Sequence, residues 1–172
     1  MHAELPPSPW IVRFAGLVPT GGPVLDVAAG GGRHSRYFRG RGHPVTAVDR
    51  DTAALRQIGD GIEVIEADLE SGRPWPLGQR RFAAIVVANY LHRPLFGVLV
   101  AAVAPGGVLV YETFAAGNER FGKPSNPDFL LKPGELLDVV RGRLRVVAFE
   151  DLEIGEPRPA MIQRIAAVSA AS

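Results

Sequence analysis

One stretch near the start of the chain constrains the fold more than any other. The segment "VLDVAAGGGRHS", residues 24–35, is a short apolar run that ends at an acid and continues into three consecutive glycines. An apolar run of this length is typical of a strand that is buried on both faces, and the glycines allow a tight turn into a helix. Open parallel sheets are built from such strand, turn and helix units.

The same alternation continues along the chain. Apolar strand candidates and helical patterns follow one another at 44–49, 52–60, 62–68, 82–90, 95–104, 107–114 and 133–140, with "PGG" at 105–107 predicted to stop the helix at 95–104. This order predicts an open sheet with helices on both faces.

The last two strand candidates differ from the others. They lie at 144–153 and 161–170, and the short segment "IGEPRPA" between them is too short for a parallel crossover. They therefore predict an antiparallel hairpin at the sheet edge. The fold class predicted from the sequence is α/β, a Rossmann-like doubly wound sheet of seven strands, mostly parallel, with a C-terminal antiparallel β-hairpin.

The composition limits the cellular compartments and the binding partners that we expect. The chain has 172 residues with 19 basic and 18 acidic side chains, and a net charge of +1 argues against nucleic acid as a partner. It has no cysteine, which excludes disulfides and thiolate metal sites and favours the cytoplasm. No apolar run approaches the ~20 residues of a membrane span, and the first ten residues lack a secretory pattern.

The four histidines give no support for a metal site. They stand at positions 2, 34, 43 and 92, and no two of them share a spacing typical of metal ligands. We therefore expect no catalytic metal.

The pattern predicts one domain over 1–172. Residues 1–23 form its lead-in, in which 8–18 predict one amphipathic helix able to fold over a bound cofactor. The polar loop at 115–132 is long for a compact domain, and such loops are often lids or binding segments. A solvated connection pinned by its aromatic residues is the alternative for this loop. Short loops must then set specificity, which favours a small-molecule substrate.

Acids at the strand ends indicate the ligand. In open parallel sheets, ligands bind beyond the carboxyl ends of the strands. Asp49 ends the second strand, 17 residues after Gly32, where a carboxylate accepts hydrogen bonds from both hydroxyls of a ribose. Nicotinamide and adenosyl ligands share that feature. Asp26 before the turn suits a ligand amino group and Asp68 after the third strand suits an adenine amine, so both favour the adenosyl ligand.

Five segments carry a resemblance to a known family. They are "VLDVAAGGGRHS", "VTAVDRD", "IEVIEADLE", "FAAIVVANYLHR" and "APGGVLVYETF". In order and spacing they resemble the motifs of class I S-adenosylmethionine-dependent methyltransferases. Within that class the chain is similar to the small bacterial branch of tellurite-resistance methyltransferases, over roughly residues 8–168. The resemblance implies S-adenosylmethionine as cofactor and S-adenosylhomocysteine as product.

The resemblance also assigns cofactor roles around the glycine turn. Asp26 would hold the methionine part together with the turn at Ala28, Gly30 and Gly32, and Asp49 would bind the ribose. Ala28 replaces the glycine that is usual at the first turn position. We expect its φ to stay negative, because a methyl group is disfavoured at positive φ.

Further cofactor roles follow at the third and fourth strands. The resemblance implies that Asp68 accepts a hydrogen bond from the adenine amine and that the Leu69 backbone contacts the ring edge. Arg50 would cover the adenine face. Asn89, at the end of the fourth strand, would lie beneath the sulfonium.

Candidate catalytic residues follow the fourth strand, in "ANYLHR". They are Asn89, Tyr90 and His92, and His92 is the best general base because an unperturbed imidazole has a pKa near 6.5. A structural histidine at a helix start is the alternative for His92, and Tyr111 is interpreted as a core residue. The chain lacks the Pro-Pro that often follows this position in methyltransferases of amide or exocyclic nitrogen, which weakens those acceptors.

Candidate acceptor-binding residues lie on the fifth strand and the loop after it. They are Phe114, Asn118, Arg120 and Phe121, with Phe129 as a further aromatic wall. The sequence thus predicts a monomeric or homodimeric enzyme that transfers a methyl group to a small molecule by in-line displacement. The alternatives are a non-catalytic adenosylmethionine sensor, a methyltransferase acting on protein or RNA, and a nicotinamide-dependent oxidoreductase.

Overall fold

The computed structural model describes residues 4–171. Residues 1–3, which open the predicted lead-in and include His2, lie outside the described residues, as does Ser172. The strands are β1 (Val24–Val27), β2 (Val45–Asp49), β3 (Ile62–Glu66), β4 (Phe82–Ala88), β5 (Val103–Phe114), β6 (Arg145–Ile154) and β7 (Ala160–Val168). The helices are α1 (Pro9–Phe14), α2 (Arg33–Gly40), α3 (Ala53–Arg56), α4 (Phe96–Ala101) and α5 (Glu135–Val140).

The strands form one sheet in the order β3-β2-β1-β4-β5-β7-β6. Strands β1 to β5 run parallel, and Val24 on the central strand lies between Val45 of β2 and Ala84 of β4. Strand β7 is antiparallel to both β5 and β6, so the last two strands form the predicted hairpin at the edge. The predicted fold class is confirmed. The order of the strands reverses between β1 and β4, and ligands bind above such a reversal.

Two apolar layers cover the sheet. On one face, Trp10 of α1 and Phe38 of α2 pack with apolar side chains of the central strands. On the other, Leu99 of α4 and Leu136 of α5 do the same. Each buried side chain of this size contributes about 1.5–3 kcal/mol to folding. The strand ends are thereby held rigidly, and the loops beyond them are free to form a site.

The start of the fifth strand differs from the prediction. Helix α4 ends at Ala101 and β5 begins at Val103, so the strand runs through Pro105, Gly106 and Gly107. The reason is pairing with other segments: the Gly106 N–H donates to carbonyls at the end of the chain, and a Cβ at Gly107 would lie 2.8 Å from the Ala83 carbonyl. Helix α3 is also short, with four residues where the sequence predicts 52–60.

Helix α1 lies on a face of the sheet and does not cover the strand ends. The predicted helix at 8–18 consists of α1 followed by a 3₁₀ turn at Ala15–Leu17. Trp10 and Ile11 are buried, and the Trp10 indole N–H donates to the Ile165 carbonyl of β7. Apolar burial therefore fixes the helix to the face of the sheet, and the expectation that the segment at 8–18 folds over a bound cofactor stays a prediction.

Candidate functional site

The glycine turn between β1 and α2 borders the site through Ala28, whereas Gly30 and Gly32, which the sequence also predicts there, are not among the residues that line the cleft. Gly30 and Gly32 have φ angles of 56° and 84°, which glycine adopts without steric cost. A Cβ on Gly32 would lie 2.4 Å from Ile58 Cδ1 and 2.9 Å from Leu55 Cδ2, so this glycine allows the segment around α3 to pack against the turn. A Cβ on Gly30 would meet nothing within 4 Å. Gly32 therefore serves packing, whereas Gly30 borders open space.

Within residues 4–171, two residues other than glycine have left-handed backbones, and both line the site. Ala28 has φ of 54° and Asn89 has φ of 55°, and they follow the neighbouring strands β1 and β4. The expectation of a negative φ at Ala28 is wrong, because the turn needs a left-handed residue at this position. Left-handed alanine costs about 1–2 kcal/mol, and strain of this kind concentrates at functional sites.

Asp49 ties the end of β2 to the glycine turn. Its Oδ2 accepts the N–H of Gly30 at 2.8 Å, and its Oδ1 accepts the N–H of Asp51 at 2.9 Å. Each carboxylate oxygen has further lone pairs for a ligand. The carboxylate is therefore fixed in position beside the turn, where the sequence predicts a ribose-binding group.

Asp68 opens the segment that follows β3. Its Oδ1 accepts the N–H of Glu70 at 2.9 Å, which holds the chain in a tight turn. The Ala67 N–H donates to the Asp49 carbonyl at 3.0 Å and so keeps this segment beside the end of β2. Asp49, at the end of β2, and Asp68, just beyond the end of the adjacent strand β3, therefore lie at the same edge of the sheet.

A cleft of about 610 Å³ brings these residues together. Nine of the residues predicted from the sequence line it: Ala28, Asp49, Arg50, Asp68, Leu69, Asn89, Tyr90, Phe114 and Phe129. Five others complete the lining: Ala67, Glu70, Leu91, Thr113 and Pro124. One side, the acidic end, carries Asp49, Asp68 and Glu70. The other, the aromatic end, carries Thr113, Phe114, Pro124 and Phe129.

Asp26 does not line the cleft. It is 2% exposed, and its Oδ2 accepts the Ser35 hydroxyl of α2 at 2.7 Å. Burial raises the pKa of Asp26 to about 6, although its hydrogen bonds with Ser35 oppose the shift. Asp26 thus holds the start of α2 against β1 from below the turn, and the structure gives it no direct access to a ligand.

His92 lies apart from the other two candidate catalytic residues. It lines a second cavity, of about 900 Å³, on the far side of the segment at 67–70. Its Nδ1 lies 3.7 Å from Glu70 Oε1, whereas the Tyr90 hydroxyl donates to the other Glu70 oxygen at 3.4 Å from within the cleft. Burial and the nearby Glu70 raise the pKa of Tyr90, so its hydroxyl is protonated at neutral pH.

The long loop contributes to the cleft in part. Phe114, Pro124 and Phe129 line it, but Asn118, Arg120 and Phe121 do not. Asn118 is 2% exposed because its side chain donates to the Pro124 carbonyl and accepts the Met161 N–H.

The base of the loop is fixed by a second anchor. Arg93 donates to both oxygens of Glu135 and to the carbonyls of Asp128 and Leu130. Polar anchors therefore pin the loop, whereas Phe121 and Phe129 are exposed. Pinning by aromatic residues, the alternative considered for this loop, is wrong.

Several lining residues escaped the sequence reasoning. Thr113 stands in the quoted motif "VYETF", and Glu70 follows Asp68 by two positions, so both had a positional signal. Pro124 had none, because only the fold of the loop brings it to the cleft. Tyr111, by contrast, is in the core as predicted, with its hydroxyl donating to the Tyr90 carbonyl at 2.7 Å.

Within residues 4–171, no helix has the length and hydropathy needed to span a bilayer. Across the same residues, histidine, aspartate and glutamate side chains form no group of three that could hold a metal ion.

By sequence, the chain is similar to parts of known methyltransferases. No protein-family model matches the chain. It is 35% identical over 104 residues to a malonyl-[acyl-carrier protein] O-methyltransferase of Pseudescherichia vulneris, and 32% identical over 102 residues to that of Salmonella typhimurium. Each alignment covers 55% of this chain and 40% of the relative, so the chain matches well under half the length of these proteins.

Solved structures are similar over most of the chain. TehB from Haemophilus influenzae superposes with a TM-score of 0.76 at 18% identity, over 92% of this chain and 61% of TehB. The chain has the class I methyltransferase fold.

Two other structures agree on this methyltransferase fold. A methyltransferase from Mesorhizobium loti gives a TM-score of 0.70 at 18% identity, over 91% of this chain and 96% of its own. The 1,6-didemethyltoxoflavin-N1-methyltransferase of Burkholderia thailandensis, solved with its substrate and S-adenosylhomocysteine, gives 0.67 at 20% identity, over 92% and 75%.

Proposed function

We propose that this protein is an S-adenosylmethionine-dependent methyltransferase acting on a small molecule by in-line displacement. One observation carries the proposal. The cleft lies where the strand order reverses, and at its edge Asp49 hydrogen-bonds the glycine turn while Asp68 lies just beyond the end of the adjacent strand. The methyltransferase fold and the relatives that are O-methyltransferases support it.

The acidic end fits the adenosine part of the cofactor. Asp49 would accept hydrogen bonds from the ribose hydroxyls, and Asp68 would accept one from the adenine amine. The Leu69 backbone and the exposed Arg50 side chain would contact the adenine ring from the edge and the face.

The glycine turn fits the methionine part. The open space above Gly30 lets a ligand approach the backbone, and Ala28 and Asn89 enclose it from two strand ends. Gly32 and Asp26 would support the turn from below, through packing and through Ser35. When bound, S-adenosylmethionine supplies a methyl group already activated on a sulfonium.

The role of the protein in the chemical step is mainly alignment. Correct placement of two reactants supplies about 7–11 kcal/mol of the barrier. We place Asn89 and Tyr90 beside the reacting atoms. His92 stays a prediction as general base, and its position in the second cavity favours a mechanism without it.

The proposal includes the setting and organisation of the protein. We propose one domain over 1–172 with 1–23 as its lead-in, present as a monomer or homodimer in the cytoplasm. The net charge of +1 supports a small acceptor over nucleic acid. Among the similar proteins, one is named for malonyl-[acyl-carrier protein] and another for 1,6-didemethyltoxoflavin.

The loop at 115–132 would act as a lid over the acceptor. Its anchors lie at its base, while Phe129 is half exposed over the cleft. We expect S-adenosylhomocysteine with an acceptor to slow amide hydrogen exchange at residues 114–130. Unchanged exchange throughout this range, in a protein shown to bind the ligand, would contradict the lid.

Transfer of label tests the function. The protein is incubated with methyl-labelled S-adenosylmethionine and a fractionated cell extract, and label is traced in small molecules, protein and RNA. We expect label in a small molecule, with matching S-adenosylhomocysteine formation. Label confined to macromolecules would overturn the acceptor class. Tight cofactor binding without any labelled product would instead favour the sensor.

A further inference from the structure

The aromatic end of the cleft has a chemical character of its own. Its four side chains, from Thr113, Phe114, Pro124 and Phe129, carry no charge, whereas the opposite end carries three carboxylates. A charged group placed among such side chains loses hydration without gaining a partner. The aromatic end therefore favours an uncharged occupant.

Thr113 is the polar group of this end. Its side chain is on the cleft lining, yet the residue is only 2% exposed. Within residues 4–171, every side-chain nitrogen or oxygen that is sealed from solvent has a hydrogen-bond partner. No hydrogen bond among these residues uses the Thr113 hydroxyl, so this hydroxyl is not sealed from solvent, and the space that Thr113 lines is the cleft.

Gln163, the neighbour of Thr113 on β7, does not use the Thr113 hydroxyl as a hydrogen-bond partner. Gln163 pairs directly with Thr113 across the two strands and is fully buried. Its side chain accepts the Leu136 N–H and donates to the Lys132 carbonyl and to Asp151. The hydrogen-bonding groups of Gln163 are thus used on the helix α5 side, and the Thr113 hydroxyl is left for a ligand.

The exposure of Phe129 favours a flat ligand. It is 50% exposed although it lines the cleft beside Phe114 and Pro124. Flat aromatic molecules gain most from such walls, since aromatic pairs stabilise each other beyond the area they bury.

We propose that the acceptor is an uncharged aromatic molecule, held between Phe114 and Phe129 and hydrogen-bonded through a ring heteroatom to the Thr113 hydroxyl. This inference rests on the proposed methyltransferase function and specifies its acceptor. The lone pair of an acceptor nitrogen forms a bond to the methyl carbon, the carbon–sulfonium bond breaks, and its electron pair stays on sulfur. The acceptor then loses a proton to water, so no ionised side chain is required at this end.

A matched pair of probes tests the acceptor class. Benzimidazole is neutral and offers one nitrogen for methylation and one N–H for Thr113, and benzimidazole-5-carboxylate has the same ring with a negative charge. Binding is measured by calorimetry in the presence of saturating S-adenosylhomocysteine, and N-methylation is followed by mass spectrometry with S-adenosylmethionine. We expect benzimidazole to bind at least tenfold more tightly than the carboxylate.

Variants locate the contacts. Thr113→Val keeps the branched shape and removes the hydroxyl, so we expect about tenfold weaker benzimidazole binding, with Thr113→Ser restoring it. Phe129→Ala should weaken binding by a similar factor, whereas Phe121→Ala, on the same loop but outside the cleft, should leave it unchanged. Both phenylalanines are exposed, so these two variants keep the fold if Thr113→Val does not.

The outcomes distinguish a failure of the proposed acceptor class from a failure of the proposed methyltransferase function. Failure of the wild-type protein to bind S-adenosylhomocysteine would overturn the proposed function. Normal cofactor binding without benzimidazole binding, tighter binding of the carboxylate, or equal effects of Phe121→Ala and Phe129→Ala would overturn the acceptor class alone.

Discussion

The two ends of the cleft are built by different means. At the acidic end, Asp49 and Asp68 stand at the ends of regular strands, and each carboxylate is fixed by backbone N–H groups of its own or the adjacent strand–turn segment. At the aromatic end, Pro124 and Phe129 come from a loop that is held at its base by long-range contacts of Asn118 and Arg93. The first end is rigid and generic, and the second is adjustable and particular to this chain.

This difference has a functional meaning. A cofactor shared by many enzymes needs the same contacts each time, and strand ends supply them reproducibly. An acceptor differs from enzyme to enzyme, and a loop can change without disturbing the sheet. Substitutions at the acidic end should therefore change donor binding, and substitutions at the aromatic end should change acceptor binding only.

The largest expected effect is on donor affinity. Asp49→Ala removes a carboxylate that would accept two ribose hydrogen bonds, and at about 1.5–3 kcal/mol per bond the affinity for S-adenosylhomocysteine should fall about a hundredfold or more. Asp51→Ala is the matched control, because Asp51 is exposed and lies outside the cleft lining. Calorimetry on the folded variants measures both. Equal affinities for the two variants would remove Asp49 from the site.

The two turn glycines should separate packing from binding. Gly32→Ala forces a methyl group against Ile58 and Leu55 and should cost about 3 kcal/mol of unfolding free energy, measured by urea titration. Gly30→Ala has open space and should cost only about 1 kcal/mol. It should still weaken S-adenosylhomocysteine binding, because its methyl group projects where the ligand approaches. If Gly30→Ala lost more stability than Gly32→Ala, the assignment of Gly32 to packing and of Gly30 to ligand approach would be wrong.

Asp26 should make stability depend on pH. Its folded pKa of about 6 exceeds its ordinary value of 3.8, so the ionised carboxylate is disfavoured in the folded state. The penalty is absent below the unfolded pKa, grows as pH rises, and reaches about 3 kcal/mol above pH 6. Relative to Asp26→Asn, the wild-type protein should lose most of this amount between pH 4 and pH 7. A constant difference between the two proteins would contradict the burial of an ionisable Asp26.

The smallest expected effect concerns the strained alanine. Ala28→Gly relieves a left-handed alanine but adds chain entropy to the unfolded state, so the net gain should be about 0.5 kcal/mol and about 1–2 °C in Tm. Ala29→Gly is the control and should lower the Tm, because Ala29 has no positive φ whose strain a glycine would relieve. Thermal denaturation measures both. A lower Tm for Ala28→Gly would show that the turn is not strained.

The same contrast explains what the sequence could predict. Apolar runs locate the ends of β2 and β3, and hence the positions of Asp49 and Asp68, because strand direction and period determine where a run ends. The mostly parallel sheet and the final hairpin follow from the alternation of patterns and from the short link between the last two strands. These features depend on local sequence.

Other features depend on the fold as a whole. The φ of Ala28 is imposed by the turn and its neighbours, and His92, two positions after Tyr90, lines the second cavity and not the cleft. Asn118 looked like a ligand contact, but it bonds the Met161 N–H, a partner 43 positions away. No local pattern reveals such a contact.

Calorimetric titration of the wild-type protein with S-adenosylhomocysteine and, separately, with NAD tests the central claim most directly. Both ligands contain an adenosine that Asp49 and Asp68 could bind, but the glycine turn must accommodate an amino-acid tail in S-adenosylhomocysteine and a pyrophosphate in NAD. We expect saturable one-to-one binding of S-adenosylhomocysteine and no binding of NAD. Binding of NAD without binding of S-adenosylhomocysteine would contradict this expectation.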